Sequence, residues 1–245
     1  MRQFLRIAKT STLTRKSRLI DGTSTLDMAF SALNIIKKLQ FPMVLLENVP
    51  NFGNSDIYRM WDLQLRRMGY QTYSAVLDAR DHGGYTCRKR FFHFATSLPL
   101  KFEWPCAEKR NEECLYEKFV SSRLEDFRDV SHTKSAQLSE GSGRSNYLSK
   151  GSTYTKMIMK SSARQQKDAL YIHEEGSDKY LWPDGKLIQD LMTVPDSYNL
   201  DIVTDEVAKE ILGQGVDGGL FESIMVKIKE HIKSFLEGDQ RLAYC

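Results

Sequence analysis

The first residue whose type and position suggest chemistry is a glutamate that ends an apolar run. Residues 43–46 read Met-Val-Leu-Leu without polar alternation, which is typical of a strand buried on both faces of a parallel sheet covered by helices. Glu47 follows directly, so its carboxylate should lie at the carboxyl edge of the sheet, where α/β folds bind ligands. The alternative is a strand-end glutamate that reaches water while Asn48 orders a turn.

Arg88 and Arg90 are the second candidates, because they stand before an apolar run at residues 91–94. In an extended chain, side chains two residues apart point to the same side. Guanidinium groups at the mouth of a buried strand need partners, because burying an unpaired charge is costly. A carboxylate such as Glu47, or an anionic or carbonyl-bearing ligand, would be such a partner. A surface arginine pair on an edge strand is the alternative.

The neighbouring segments predict elements that would position these side chains. Apolar residues from Thr25 to Leu39 recur at helical spacing. Ser55 or Asn54 can cap a second helix, and Gly69 can close it in the left-handed conformation. The strands are predicted at residues 41–49, 71–77 and 90–96. Helix, strand, helix, strand and strand in this order indicate an α/β sheet.

The rest of the chain divides into a polar stretch and a closing helix. Residues 99 to about 180 are Ser/Gly-rich with weak periodicity, which indicates a small domain or a long insertion. After a glycine-rich turn at residues 213–219, an amphipathic helix begins that needs a large apolar partner, most simply the first sheet.

Within the polar stretch, residues 141–167 contain no acidic residue. Basic side chains interleaved with tyrosines and small polar residues suit a surface that grips phosphates. The candidate contacts to phosphate groups are Lys150, Lys156, Lys160 and Arg164. A solvated polar loop without a partner is the alternative.

Taken in order, four strings in this chain resemble motifs of DNA (cytosine-5) methyltransferases. Leu-Glu-Asn-Val is similar to motif VI, and Tyr-Thr-Cys-Arg-Lys-Arg to motif VIII, Gln-x-Arg-x-Arg, with Thr86 where Gln is usual. A third string resembles the end of motif IX, and Gly-Gln-Gly-Val resembles motif X, usually Gly-Asn-Ser/Ala-Val. Their positions are residues 46–49, 85–90, 191–198 and 213–216. The resemblance covers roughly residues 22–98 and 180–237.

The resemblance implies an α/β fold, a partial Rossmann-like core of an S-adenosylmethionine-dependent methyltransferase with a small inserted target-recognition domain. Residues 1–98 and 205–245 would form the discontinuous core, and residues 99–204 the insertion. The implied partner is double-stranded DNA, from which the family flips the target base into a pocket.

The resemblance also implies roles for individual residues. Cytosine C5 becomes nucleophilic after a thiolate adds to C6, which moves electrons toward N3 and O2. Glu47 would bind N3 and Arg90 O2 as that charge develops, with Arg88 a second polar support of the pocket. The implied methyl donor, S-adenosylmethionine, would lie against Gly213, Gln214, Gly215 and Val216. No metal is expected, because the histidines show no ligand spacing.

Two parts of the family pattern are missing from this sequence. The Phe-x-Gly-x-Gly cofactor loop does not occur, and the Pro-Cys nucleophile would fall close to or before Met1. The basic residues 1–20 then resemble the mobile loop after the nucleophile rather than a transit peptide. Pro105-Cys106 lacks a preceding strand and loop of the expected kind, and Cys87 is interpreted as a small semi-buried thiol. Alone, the chain should not methylate DNA.

The sequence therefore predicts the carboxyl-terminal part of a DNA (cytosine-5) methyltransferase. It would be either a subunit that needs a complementary N-terminal polypeptide or a product truncated upstream. A non-enzymatic, basic DNA-binding protein that kept the scaffold is the alternative. An unrelated nucleotide-binding α/β enzyme is disfavoured, because no Gly-x-Gly-x-x-Gly follows a strand near the start.

Composition is consistent with this class and excludes others. A chain of 245 residues with 41% hydrophobic residues can build a real interior, unlike fibrous or wholly disordered chains. The net charge of +3 means that affinity for a polyanion must come from local clustering. Apolar runs are too short to span a bilayer. Four dispersed cysteines without a Cys-x-x-Cys pair argue against disulfides and structural zinc, and favour a reducing, cytoplasmic compartment that contains DNA.

Overall fold

The computed structural model describes residues 5–8, 25–108, 110–139, 145–174 and 176–242. The chain divides into two compact units. The first unit comprises residues 1–77, 89–105 and 225–245, and the second comprises residues 78–88 and 106–224. Among the described helices, none has an apolar stretch of the length that crossing a bilayer requires.

A mixed four-stranded sheet in the order β1-β2-β4-β3 forms the centre of the first unit. β1 pairs in parallel with β2, and β2 pairs antiparallel with β4, with Glu47 opposite Phe92. Every residue of β2 is buried, as predicted, but the expected parallel environment holds on one side only. The strands are β1 (Leu5–Ala8), β2 (Met43–Asn48), β3 (Gln71–Asp78) and β4 (Lys89–Thr96).

β1 corrects the interpretation of residues 1–20 as a mobile loop. Residues 5–8 form a strand, because β2 offers an edge of unpaired backbone groups to which a short segment can add. Residues 9–20 lie outside the described ranges.

Two helices cover one face of this sheet, and their bounds follow the sequence signals. α1 (Thr25–Leu39) and α2 (Asp56–Arg67) form where helical periodicity predicts them. The Ser55 hydroxyl accepts the Tyr58 N–H at 3.2 Å, and Gly69 has a φ of 91°, so both predicted caps are confirmed. Buried side chains of both helices pack with the strands: Leu33, Ile36, Trp61 and Leu65 join Val44, Leu46 and Phe91.

The last helix, α7 (Gly218–Leu242), contributes its residues from Met225 onward to the first unit. There His231 lies edge-on to Phe94 and Phe102, each at 5.8 Å between ring centroids, and its Nε2 is 3.2 Å from the Thr96 hydroxyl. The part of α7 from Met225 onward, in which Ile228 and His231 are buried, thus packs in the first unit.

A second four-stranded sheet, in the order β5-β8-β7-β6, lies in the second unit. Its strands are β5 (Arg128–Asp129), β6 (Asn146–Leu148), β7 (Leu170–His173) and β8 (Tyr180–Trp182). The helices of this unit are α3 (Leu115–Phe119), α4 (Lys134–Gln137), α5 (Gly185–Leu191) and α6 (Asp205–Gln214). An aromatic cluster that includes Tyr171, Tyr180 and Trp182 packs beside a larger aliphatic core.

The limits of the second unit differ from the predicted insertion at residues 99–204. Residues 78–88 and 205–224 also belong to it. The reason is visible at α6, whose Asp205 carboxylate accepts the Gly185 N–H of α5 at 2.5 Å. A Cβ on Gly185 would lie 3.2 Å from the Ala208 side chain, so the two helices are closely packed.

A buried histidine links α2 to β4 in the first unit. Trp61 donates its indole N–H to His93 Nδ1 at 3.3 Å, and His93 Nε2 lies 3.1 Å from an Asp62 carboxylate oxygen. This arrangement assigns the neutral tautomer with its proton on Nε2. Burial lowers the pKa of His93, although Asp62 acts in the opposite direction. Protonation of Nδ1 would also remove the acceptor of Trp61.

Acid should therefore destabilise the first unit through His93. The unfolded imidazole has an ordinary pKa of 6.5 and the folded one is lower, so stability is full above 6.5 and falls as pH drops toward the folded value. His93→Gln keeps both hydrogen bonds without titrating. Urea unfolding at several pH values gives the free energy of unfolding as a function of pH. Below pH 6.5 the slope of this curve should be shallower in the variant than in the wild type, by up to about 1.4 kcal/mol per pH unit. The exposed His132→Gln is the control, and equal slopes in both variants would contradict the assignment.

Candidate functional site

Glu47 and Arg90 meet in a buried ion pair in the first unit. Arg90 Nε lies 3.0 Å from Glu47 Oε1, and both side chains are about 5% exposed. Glu47 is opposite Phe92 in the β2–β4 register, so Arg90 is its diagonal neighbour on the same face. A long side chain spans that diagonal. The structure therefore brings these two predicted residues together.

The segment after Glu47 fixes the end of β2. The Asn48 side chain accepts the Val49 N–H at 2.8 Å, and a 3-10 helix (Pro50–Asn54) begins at once. Gly53 is required there, because a Cβ would lie 2.7 Å from the ring of Phe91. The aromatic packing holds the turn, so the carboxylate at its start has a defined position.

Burial makes the pair of Glu47 and Arg90 costly to disturb. Burial lowers the pKa of Arg90, and the Glu47 charge and hydrogen bond partly restore it. Removing one member of a buried pair leaves an uncompensated charge. A carboxyl group and a guanidinium side by side can bind a planar ligand that presents a ring nitrogen and a carbonyl oxygen, provided that one proton is shared between the carboxyl group and the ring nitrogen.

Arg88 is used differently from the expectation that it supports the same pocket as Arg90. β4 begins at Lys89, so Arg88 lies directly before the strand and belongs to the second unit. Its guanidinium donates to backbone carbonyls of the second unit, at Ile158, at Gly213 (2.9 Å) and at Gly215 (2.6 Å). These carbonyls meet the need for partners that the sequence indicated.

The predicted cofactor turn, residues 213–216, lies at the end of α6. Its Gly213 and Gly215 carbonyls already accept from Arg88. Gln214 is exposed and its amide bonds to Glu210, while Val216 is buried. The turn can therefore offer a nucleoside ligand a side-chain amide and an apolar contact, which fits one part of S-adenosylmethionine.

The sequence does not predict a hydrogen bond that joins Thr193 to the buried Asp217. Thr193 has a φ of 51°, an unusual value for a β-branched residue. Its hydroxyl accepts the Gly219 N–H at 2.7 Å and lies 2.9 Å from Asp217 Oδ1. Asp217 also accepts the Leu220 N–H at 3.2 Å and so caps α7. The available signal was an aspartate directly before the last helix.

The predicted DNA contacts are surface residues of the second unit, and three of them have partners. Lys150 pairs with Glu174 at 3.0 Å, and Lys160 pairs with Glu210 at 2.6 Å. The Lys156 ammonium donates to the Ser145 carbonyl at 2.5 Å. Arg164 is exposed. The segment that carries them includes β6 and a 3-10 helix (Lys160–Ala163), whereas residues 140–144 lie outside the described ranges.

The remaining chemical candidates form no second constellation. Cys106 is exposed, and Cys87 is half-buried with its sulfur 3.7 Å from the Arg80 guanidinium. Cys245 lies outside the described residues. Within the described ranges, no cluster of three His, Cys, Asp or Glu side chains could hold a metal ion.

Comparisons with known proteins match both the sequence and the fold. The family model described as C-5 cytosine-specific DNA methylase matches residues 11–230. No curated protein sequence matches the chain significantly.

Three solved structures show the same Rossmann-like α/β methyltransferase fold. The S. pombe Dnmt2 methyltransferase has a TM-score of 0.70 and 16% identity, over 92% of this chain and 77% of that one. The Entamoeba histolytica methyltransferase EhMeth has a TM-score of 0.67 and 17% identity, over 83% and 69%. A Spodoptera frugiperda DNMT2 mutant has a TM-score of 0.67 and 17% identity, over 92% and 78%.

Asp217 should change the stability of the fold with pH in the direction opposite to His93. Burial raises the pKa of Asp217 from 3.8 to about 6, so the charged form that prevails above pH 6 is penalised. This penalty disappears as pH falls from about 6 toward 3.8. Asp217→Asn retains the capping oxygen and removes the charge.

We expect Asp217→Asn to be more stable than the wild type by about 3 kcal/mol at pH 7.5, with most of the difference lost near pH 4. Urea unfolding of both proteins at the two pH values measures this. The exposed Asp201→Asn, in the same unit, is the control. If Asp217→Asn were less stable than the wild type at pH 7.5, the ionised carboxylate of Asp217 would stabilise the fold, which would contradict this prediction.

Proposed function

Because the chain belongs to the C-5 cytosine-specific DNA methylase family, we propose that it is the carboxyl-terminal part of a DNA (cytosine-5) methyltransferase. The observation that carries the proposal is the buried ion pair of Glu47 and Arg90 at the end of β2. In this proposal the pair receives a cytosine that has been flipped out of the duplex.

Glu47 and Arg90 would stabilise the charge that develops on the ring. When a thiolate adds to C6, electron density moves toward N3 and O2. The Glu47 carboxyl group would hold a proton against N3, and the Arg90 guanidinium would donate to O2. Both groups are already fixed and desolvated in the free protein, so little reorganisation is needed when the charge appears.

The turn at residues 213–216 would contribute to the methyl-donor site. S-adenosylmethionine, when bound, supplies the methyl group that C5 receives. Gln214 would hydrogen-bond to it and Val216 would pack against it. Gly213 and Gly215 have no side chain that would block the ligand, and their carbonyls accept hydrogen bonds from Arg88. The rest of that site would come from residues outside this turn.

The nucleophile would also come from elsewhere. Cys106 is exposed and follows β4 after a stretch without a further strand, and residues 1–86 contain no cysteine. We therefore propose that the thiolate and the cofactor loop belong to a complementary N-terminal polypeptide. The alternative is a DNA-binding protein that kept the scaffold without catalysis, and the following tests distinguish the two.

The catalytic proposal is tested by mixing this chain with the product of the adjacent upstream reading frame. Transfer of labelled methyl groups to duplex DNA should require both polypeptides. Glu47→Gln should lose about a hundred- to ten-thousand-fold in rate, the usual contribution of a positioned acid. Glu103→Gln, in an exposed pair with Lys101, is the matched control. Full activity of Glu47→Gln would remove Glu47 from the mechanism, and no transfer by the wild-type mixture would favour the non-enzymatic alternative.

DNA binding is tested on the chain alone. Lys150, Lys156 and Lys160 should each exchange an internal partner for a phosphate. Their combined substitution by Gln should lower the affinity for duplex DNA and reduce the slope of log affinity against log salt by up to about 2.7. Combined substitution of Lys118, Lys134 and Lys179 by Gln in the same unit is the control. If affinity and slope stay unchanged in the first variant, the segment is a solvated surface.

A further inference from the structure

The Arg88 side chain joins two backbone segments that are far apart in sequence. It is 1% exposed, and its guanidinium donates to the carbonyls of Ile158, Gly213 and Gly215. Ile158 and Gly213 are separated from Arg88 by 70 and 125 residues. A planar guanidinium can serve several acceptors at once, and charged donors make the stronger hydrogen bonds.

The two ends of this link lie in segments to which different functions are proposed. Ile158 stands between Lys156 and Lys160, two of the predicted DNA contacts. Gly213 and Gly215 belong to the turn proposed to meet the methyl donor. All of these residues lie in the second unit.

Other contacts lie beside the Arg88 link and bring the same segments together. A Cβ on Gly213 would lie 2.5 Å from the Met159 carbonyl group, so the two backbones are in direct contact. The Cys87 N–H donates to the Thr155 carbonyl, and the Thr155 N–H donates to the Tyr85 carbonyl, both at 2.9 Å. The Arg88 N–H is bonded to Asp78 at 3.0 Å, which fixes the base of the side chain.

We propose that Arg88 is a positioning residue that makes the DNA-contacting segment and the donor-contacting turn move as one body. DNA binding at Lys156 and Lys160 would then restrict the turn at residues 213–216 and change its affinity for the donor. The coupling to ligands rests on the proposed function. The mechanical link through Arg88 does not, so the two can fail separately.

Hydrogen exchange of the ligand-free chain tests the link itself. Arg88→Lys keeps the charge but replaces the fork with a single ammonium that cannot span three carbonyls. Exchange should rise about tenfold in residues 156–160 and 213–217 together, while β7 and β8 stay unchanged. Arg110→Lys, at an exposed pair with Asp81 in the same unit, is the control.

A rise in one segment only, or a uniform rise through the unit, would overturn the link. Gly213→Ala provides a second variant should Arg88→Lys fold poorly. It forces the two backbones apart from the other side, so the same two segments should open. Combined with Arg88→Lys, its effect should be smaller than the sum of the two.

A duplex oligonucleotide tests the coupling. In the wild type it should protect residues 156–160 and also residues 213–217, whereas in Arg88→Lys protection should stay within residues 156–160. Protection confined to residues 156–160 in the wild type would overturn the coupling. No protection at all in the wild type would refute the proposed DNA binding and the coupling with it, and the ligand-free experiment would still decide the role of Arg88.

Discussion

A guanidinium group cannot be buried without acceptors, and the two arginines on either side of Lys89 meet this requirement in different ways. Arg90 uses a carboxylate, Glu47, and so forms a charged pair that a ligand can share. Arg88 uses backbone carbonyls, which are neutral and belong to three different positions of the chain. In the proposed function the first solution would bind the target base, whereas the second would fix the backbone. The same residue type thus serves both roles, because the acceptor and not the arginine decides which role results.

This difference explains what could be predicted from the sequence. The partnership of Glu47 with a strand arginine was predictable, because a carboxylate at the end of a buried strand and an arginine at the mouth of another strand are both visible as residue types. The acceptors of Arg88 could not be predicted, because they are backbone carbonyls. Every residue has one, so the sequence does not show which of them Arg88 contacts. The helices α1 and α2 followed from periodicity, Ser55 and Gly69. β1 was not predicted because the alternation of Leu5, Arg6 and Ile7 is too short to mark a strand within a basic, Ser/Thr-rich stretch.

The basic segment shows the limit of reading charge along a sequence. Residues 141–167 contain no acidic residue, yet two of their lysines form ion pairs with glutamates from elsewhere in the second unit. Lys150 pairs with Glu174, directly after β7, and Lys160 pairs with Glu210 in α6. Such exposed pairs contribute little to stability, so a phosphate can displace the glutamate at small cost. The DNA binding proposed for this segment would therefore cost little in lost ion pairs.

The turn at residues 213–216 is fixed at both ends by unusual means. Within it, Arg88 binds the Gly213 and Gly215 carbonyls. Directly after it, Asp217 is bonded to Thr193, whose backbone adopts a strained conformation. Strain at a β-branched residue and a buried carboxylate with a raised pKa both reduce stability, so neither would persist for packing alone. A turn held this rigidly has already lost the freedom that binding would otherwise remove, which favours a ligand-binding role for it over a simple connection between α6 and α7.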